Sequence, residues 1–306
     1  MDPNSASDNN QILHDYSPRF RVYKDGRVER LRGEEKAPAG VDPVTGVQSK
    51  DITINPQTGL SVRMFLPKTA TSAGKLPLLI YIHGGAFCTF SPFHPFYHRH
   101  LNTIAAEANA VVVSVNYRLA PEHPLPIGYD DTWEAIKWAA AHSNGGGTEP
   151  WLVDHADFSN VYFAGDSAGG NFSHSMGMQV GLEGLPGVKL AGIVLIHPYF
   201  GIDEKEELIA FLYPTMAWPD DPKMKPAKDP NLGRLGCRRV LVMVAGNDDL
   251  VDRGRTYYEA LKKSGWEGEV DLVEAEGEGH VFHLIDPTKD KAQVLVKQFV
   301  SFLTHH

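Results

Sequence analysis

The sequence predicts an α/β fold, a mostly parallel central sheet with helices on both faces. Three observations carry this. Six short runs ("PLLIYIHGG", "NAVVVSVNY", "NVYFAGDS", "LAGIVLIHP", "RRVLVMVAG" and "EVDLVEAEG") are mostly apolar and rich in branched residues, the pattern of strands buried on both faces. Between most of them lie segments with apolar residues at helical spacing: "HRHLNTIAAEAN", "DDTWEAIKWAAAHS", "GRTYYEALKKSG" and "KDKAQVLVKQFVSFL". The chain has 306 residues, 42% of them hydrophobic, enough to build one large core.

In chain order, residues 1–15 are polar and acidic and read as disordered or loosely docked. "FRVYKDGRVERL" carries a hairpin signal at Asp25-Gly26, and "KDITINPQTGLSVRMFLP" a second hairpin turning near "NPQTG". The strand–helix alternation begins after Leu76 and is broken twice. "SNGGGTEPWLVDHADFS" reads as a loop with a glycine run. Residues 201–236, rich in proline and aromatic residues, read as a structured insertion or lid.

Several function classes are disfavoured. The net charge is −9 and no basic stripe exists, so nucleic acid is not an expected partner. Two cysteines, Cys88 and Cys237, without a C-x-x-C pair argue against a zinc ribbon or disulfide scaffold and fit a reducing compartment. The N-terminus has neither an apolar h-region nor arginine-rich character, so a cytoplasmic protein is expected. No apolar run is long enough for a membrane span. Neither G-x-x-x-x-G-K-[ST] nor G-x-G-x-x-G occurs, and the histidines of "FHPFYHRH" lack nearby carboxylates, so no cofactor and no metal are expected.

One stretch carries chemistry. In "VYFAGDSAGGNFSH" an apolar run meets G-x-S-x-G and then an expected amphipathic helix. A serine on such a sharp strand-to-helix turn is lifted above the carboxyl edge of the sheet, with glycines where side chains would collide. Ser167 is therefore the candidate nucleophile. The Ala168 amide opens the helix beside it and can face developing negative charge. "HGGAF" follows the strand "LLIYI", and its consecutive glycines Gly84 and Gly85 add two candidate oxyanion donors. His83 reads as a structural histidine bonding this loop.

An acid and a histidine should follow in that order. Asp248, Asp249, Asp252 and Glu259 lie at or beyond the end of "VLVMVAG", with Asp252 the best helix-cap candidate. His280 follows the last strand, and His283 is its rival, expected at the surface or at a helix cap. Ser167, Asp248 and His280 then form a nucleophile–acid–base set for attack on an acyl carbonyl. The sequence carries no signal for oligomeric state.

"HGGAF", "NYRLAPEHPLP", "GDSAGGN" and "GxxHxF" together resemble the hormone-sensitive-lipase branch of the α/β-hydrolases. "KDGRVERL", "DPVTGVQSKDI" and "LKKSGWEGEVDLVEAEGEGHVFHL" are similar to its plant carboxylesterases, and the likeness runs from about residue 16 to the end. The resemblance implies one α/β-hydrolase domain over residues 1–306. Its cap would come from residues 1–45 and about 200–235. It implies Ser167, Asp248 and His280 as the triad, and Gly84, Gly85 and Ala168 as oxyanion donors. It also implies hydrolysis of small, fairly apolar carboxylic esters. Relatives that dehydrate 2-hydroxyisoflavanones or cyclise indole alkaloids keep a lyase reading open. Receptors of this fold lose the histidine that His280 retains.

Overall fold

A computed structural model describes residues 10–71, 74–217 and 220–304. Part of the expected loose N-terminus, residues 1–9, lies outside the described residues. The rest of that stretch is ordered. Ile12–Tyr16 (β1) pairs antiparallel with Phe20–Tyr23 (β2), which pairs with Val28–Arg30 (β3). β2 and β3 are the hairpin expected at Asp25-Gly26, where Gly26 has φ +84 and its amide bonds the Tyr23 carbonyl. The strand at 12–16 was missed because polar His14 and Asp15 interrupt its alternation. Its stability comes from pairing with β2 and from Tyr16 meeting Phe211, at ring centroids 5.1 Å apart.

The main sheet holds Gln48–Asn55 (β4), Leu60–Leu66 (β5), Leu76–Ile82 (β6), Val111–Asn116 (β7), Ala156–Asp166 (β8), Leu190–Ile196 (β9), Arg239–Ala245 (β10) and Glu269–Ala275 (β11). Its order is β11-β10-β9-β8-β6-β7-β5-β4. Only the contacts of β5 with β4 and β7 are antiparallel. β6, β9, β10 and the Val161–Asp166 part of β8 are almost wholly buried because both faces are covered by helices.

The helices are Pro95–Glu107 (α1), Ile127–Ala141 (α2), Pro150–His155 (α3), Ala168–Glu183 (α4), Glu207–Leu212 (α5), Val251–Lys263 (α6), Phe282–Ile285 (α7) and Asp290–Thr304 (α8). α8 buries Ala292, Leu295, Phe299, Phe302 and Leu303, one stripe at helical spacing. α3 corrects the reading of 143–159 as loop throughout. Pro150 sits in its first turn and Glu149 accepts the Trp151 amide at 2.9 Å. α4 is not amphipathic as expected: from Ala168 to Ser173 every residue is buried. The helix is sandwiched between the sheet and the 201–236 segment, and a Cβ on Gly177 would lie 2.3 Å from Ile193 and 3.1 Å from Leu235.

The 201–236 insertion contains α5 and two short 3₁₀ turns, with Pro219 outside the described residues. It is fastened to the core by Asn171, which accepts from the Tyr129 hydroxyl and donates to the Lys223 carbonyl, both at 2.7 Å. Phe20 of β2, Leu212 of α5, Cys88 and Ala120 form a separate apolar cluster over the "HGGAF" loop. Arg30 adds a bidentate pair to Glu122 and a hydrogen bond to the Cys88 carbonyl.

Candidate active site

The turn from β8 into α4 forces Ser167 into φ +53, ψ −118, a conformation an L-residue holds only when its surroundings impose it. The surroundings are backbone. A Cβ on Gly165 would lie 2.4 Å from the Gly169 carbonyl, and one on Gly169 would lie 2.0 Å from the Ile82 carbonyl oxygen. Both glycines are therefore required by close approach. The elbow is held from the next strand: Ser167 donates its amide to the Ile196 carbonyl, and its own carbonyl accepts from Tyr199, both at 2.9 Å. The Ser167 hydroxyl has no hydrogen-bond partner among the described residues.

Asp248 and His280 come from the loops after β10 and β11. Asp248 follows β10 in a tight turn, with its amide on the Ala245 carbonyl. Its Oδ2 lies 2.7 Å from His280 Nδ1, and its Oδ1 accepts the Leu250 amide at 3.0 Å. Burial pushes this carboxyl up, but the hydrogen bond and charge of His280, with the Leu250 amide, outweigh it and hold the group below its ordinary range. An ionised Asp248 accepts, so Nδ1 of His280 carries the hydrogen of this bond; in the tautomer with that one ring hydrogen, Nε2 is a free acceptor. Asp249 is exposed and plays no part in this pair. Asp252 is not the cap of α6; it lies in the first turn and pairs with Arg255 at 2.9 Å.

His283 corrects another expectation. It is neither at the surface nor capping; it is buried, 5.1 Å from the His100 ring and 5.6 Å from that of His197. Burial pushes it well below its ordinary value. His83 does bond its own loop: its Nδ1 lies 2.7 Å from the Gly84 carbonyl and its ring stacks on Tyr117.

The glycine loop also departs from expectation. The Gly84 amide is not free for an oxyanion; it bonds the Tyr97 hydroxyl at 3.0 Å and Asp166 Oδ1 at 3.2 Å. Asp166, directly before Ser167, is fully buried and also accepts from the hydroxyls of Tyr81 at 2.9 Å and Tyr97 at 3.0 Å. Burial pushes its carboxyl above the ordinary range, against the pull of those hydroxyls. This network anchors the loop from beneath. Gly85 at φ +108, Ala86 at +52 and Phe87 at +64 then turn the chain over. The amides of Gly85, Ala86 and Ala168 have no partner among the described residues. Sequence reasoning missed Ala86 and Asp166. The chirality of Ala86 conceals its positive φ, and Tyr81 and Tyr97 reach Asp166 only through the fold.

Among the described residues one set of metal-capable side chains converges: ligand atoms of His197, Asp248 and His280 lie within 4.8 Å of one another. Two of its ring nitrogens are engaged, His280 Nδ1 with Asp248 and His197 Nδ1 with the Val281 amide.

A family model described as the α/β-hydrolase fold matches residues 79–284, and one for the carboxylesterase family matches residues 34–122. Probable carboxylesterase 5 of Arabidopsis thaliana is 46% identical, covering 96% of this chain and 98% of its own. The chain belongs to the α/β-hydrolase family, among the plant carboxylesterases. A 2-hydroxyisoflavanone dehydratase of Glycyrrhiza echinata is 42% identical over 98% of both chains. The solved esterase of Pyrobaculum calidifontis superposes on this hydrolase with a TM-score of 0.68 at 29% identity, covering 84% of each chain.

Proposed function

We propose that this hydrolase is a serine carboxylesterase acting on small, fairly apolar esters. The observation that carries the reading is the Asp248–His280 hydrogen bond at 2.7 Å at the same sheet edge as the strained Ser167 elbow. In this reading Ser167 Oγ attacks the acyl carbonyl and His280 Nε2 takes its proton. The oxyanion is received by the amides of Gly85, Ala86 and Ala168. His280 then passes the proton to the leaving alcohol, and water releases the acyl group by the same route. Asp248 holds the imidazole in the tautomer that leaves Nε2 free. A cap formed by the N-terminal sheet and the 201–236 insertion, and a cytoplasmic setting, belong to the proposal. The buried, unpaired Cys88 and Cys237 fit that setting.

The test is labelling by an organophosphonate with turnover of an activated aryl ester. One equivalent of label on Ser167, and loss of about 10⁵-fold or more in Ser167→Ala, are expected. The dehydratase relative supports a second reading, elimination with His280 as base and no acyl-enzyme. Retention of activity on the natural substrate within about tenfold in Ser167→Ala would favour it.

A further inference from the structure

His197 stands at the end of β9 and is buried. Its backbone has φ +46. Its amide bonds the Met243 carbonyl of β10 at 2.7 Å. Its Nδ1 accepts the amide of Val281 at 3.0 Å. Val281 directly follows His280 and is itself in the left-handed region, at φ +47. The residues flanking His197 hold the nucleophile, since the Ile196 carbonyl accepts the Ser167 amide and the Tyr199 amide donates to the Ser167 carbonyl. Residues 196–199 thus grip Ser167 through their backbone, and the loop carrying His280 through one ring nitrogen.

The remaining nitrogen of that ring, Nε2, is buried without a partner. An unsatisfied polar group in a packed site is unfavourable, and a leucine of similar size would avoid it. The gain from a histidine here therefore lies at Nδ1. The ring is neutral, because burial pushes it down to about 3, so Nδ1 is a lone-pair acceptor and Nε2 carries the hydrogen.

We infer that His197 is a positioning residue for the reaction: by accepting the Val281 amide it fixes the left-handed turn after His280, and so sets the base relative to Ser167. This rests on the serine-hydrolase reading above. The His280 ring is tied to Asp248, but its backbone needs a separate restraint. Without it, movement of the turn shifts Nε2 relative to the serine hydroxyl, and misplacement of about 1 Å costs on the order of 10²-fold in rate.

The experiment compares His197→Leu with His197→Asn. The Asn carbonyl oxygen can occupy the Nδ1 position, and Asn tolerates φ near +46. With 4-nitrophenyl acetate, His197→Leu is expected to lower kcat by about 10-fold to 10²-fold with KM within about threefold. His197→Asn should recover most of that loss. If His197→Leu does not fold, His197→Gly suits the backbone, removes the acceptor and should show the same fall. In parallel, hydrogen exchange at the Val281 amide should accelerate in the Leu or Gly variant and slow again in the Asn variant. Wild-type kcat without the acceptor, or an Asn variant as impaired as Leu, overturns the inference. If the wild-type protein turns over no ester, the hydrolase reading fails, and Val281 exchange then decides the inference: unchanged protection without the acceptor refutes it.

Discussion

Replacing Asp248 by Asn leaves a side chain of the same shape that cannot serve both partners. The carboxylate makes two bonds, Oδ2 to His280 Nδ1 at 2.7 Å and Oδ1 to the Leu250 amide at 3.0 Å. Both partners donate. Asn has one oxygen. If that oxygen stays on Leu250, the NH₂ faces His280, whose Nδ1 must become the acceptor. The ring proton then moves to Nε2, which can no longer accept one, and the proposed base is blocked. If the amide flips, its NH₂ meets the Leu250 N–H and leaves a half-buried donor unpaired, at a cost of about 1–3 kcal/mol. The first arrangement therefore dominates. A wrong tautomer lowers kcat by about 10⁴-fold, or about 5 kcal/mol of transition-state stabilisation. Steady-state hydrolysis of an aryl acetate measures it, with Asp249→Asn as the exposed control expected within about threefold of wild type. An Asp248→Asn enzyme within about tenfold of wild type, or an equal loss in Asp249→Asn, refutes the reasoning.

Gly85→Val introduces a Cβ that would lie 2.2 Å from the Thr89 carbonyl oxygen at a φ of +108, so kcat should fall by about 10²-fold or more; a folded variant with normal turnover removes this loop from oxyanion binding. Tyr97→Phe deletes one hydroxyl on Asp166 and a partner of the Gly84 amide, and should lower the free energy of unfolding by about 1–3 kcal/mol, measured by denaturant titration; no change would show that Tyr81 and the Gly84 amide together satisfy the carboxylate. Burial pushes His83 and His100 down to about 4, and His174 and His197 down to about 3. Unfolded histidines titrate near about 6.5, so between these values the unfolded chain binds more protons. The stability they support is fully present above about pH 6.5 and is lost as pH falls toward the folded values, on the order of 2 kcal/mol per ring at about pH 5. Melting scans should show Tm falling from about pH 7 to about pH 5; a flat profile contradicts this. Arg118→Met removes the side-chain partner of the fully buried Asp131 and should destabilise by about 3 kcal/mol, while a shift below about 0.5 kcal/mol would show that the Arg118 backbone amide suffices.

By itself the sequence determined the strands β6–β10, because residues buried on both faces must be apolar along most of the strand, and that pattern is local; β11 was also found, but it is a partly exposed edge strand and not the doubly buried one expected. It determined the two hairpins through their turn residues. It marked the elbow, because Gly165 and Gly169 are needed where backbone passes within contact of backbone. It singled out Asp248 and His280 by their places just past strand ends, and the fold brings them to 2.7 Å. Only the tertiary structure decided between neighbours of the same type. Asp252 turns to Arg255, and His283 is buried by residues distant in sequence. The Gly84 amide is taken by Tyr97 and Asp166, which passes the free positions on this loop to Gly85 and Ala86. The strand at 12–16 exists through its partner, and α4 is buried all round near the elbow by the insertion packed over it. Local periodicity reports what a segment buries on its own. The direction of a single amide, or the partner of a single histidine, is set by contacts between elements that only folding brings together.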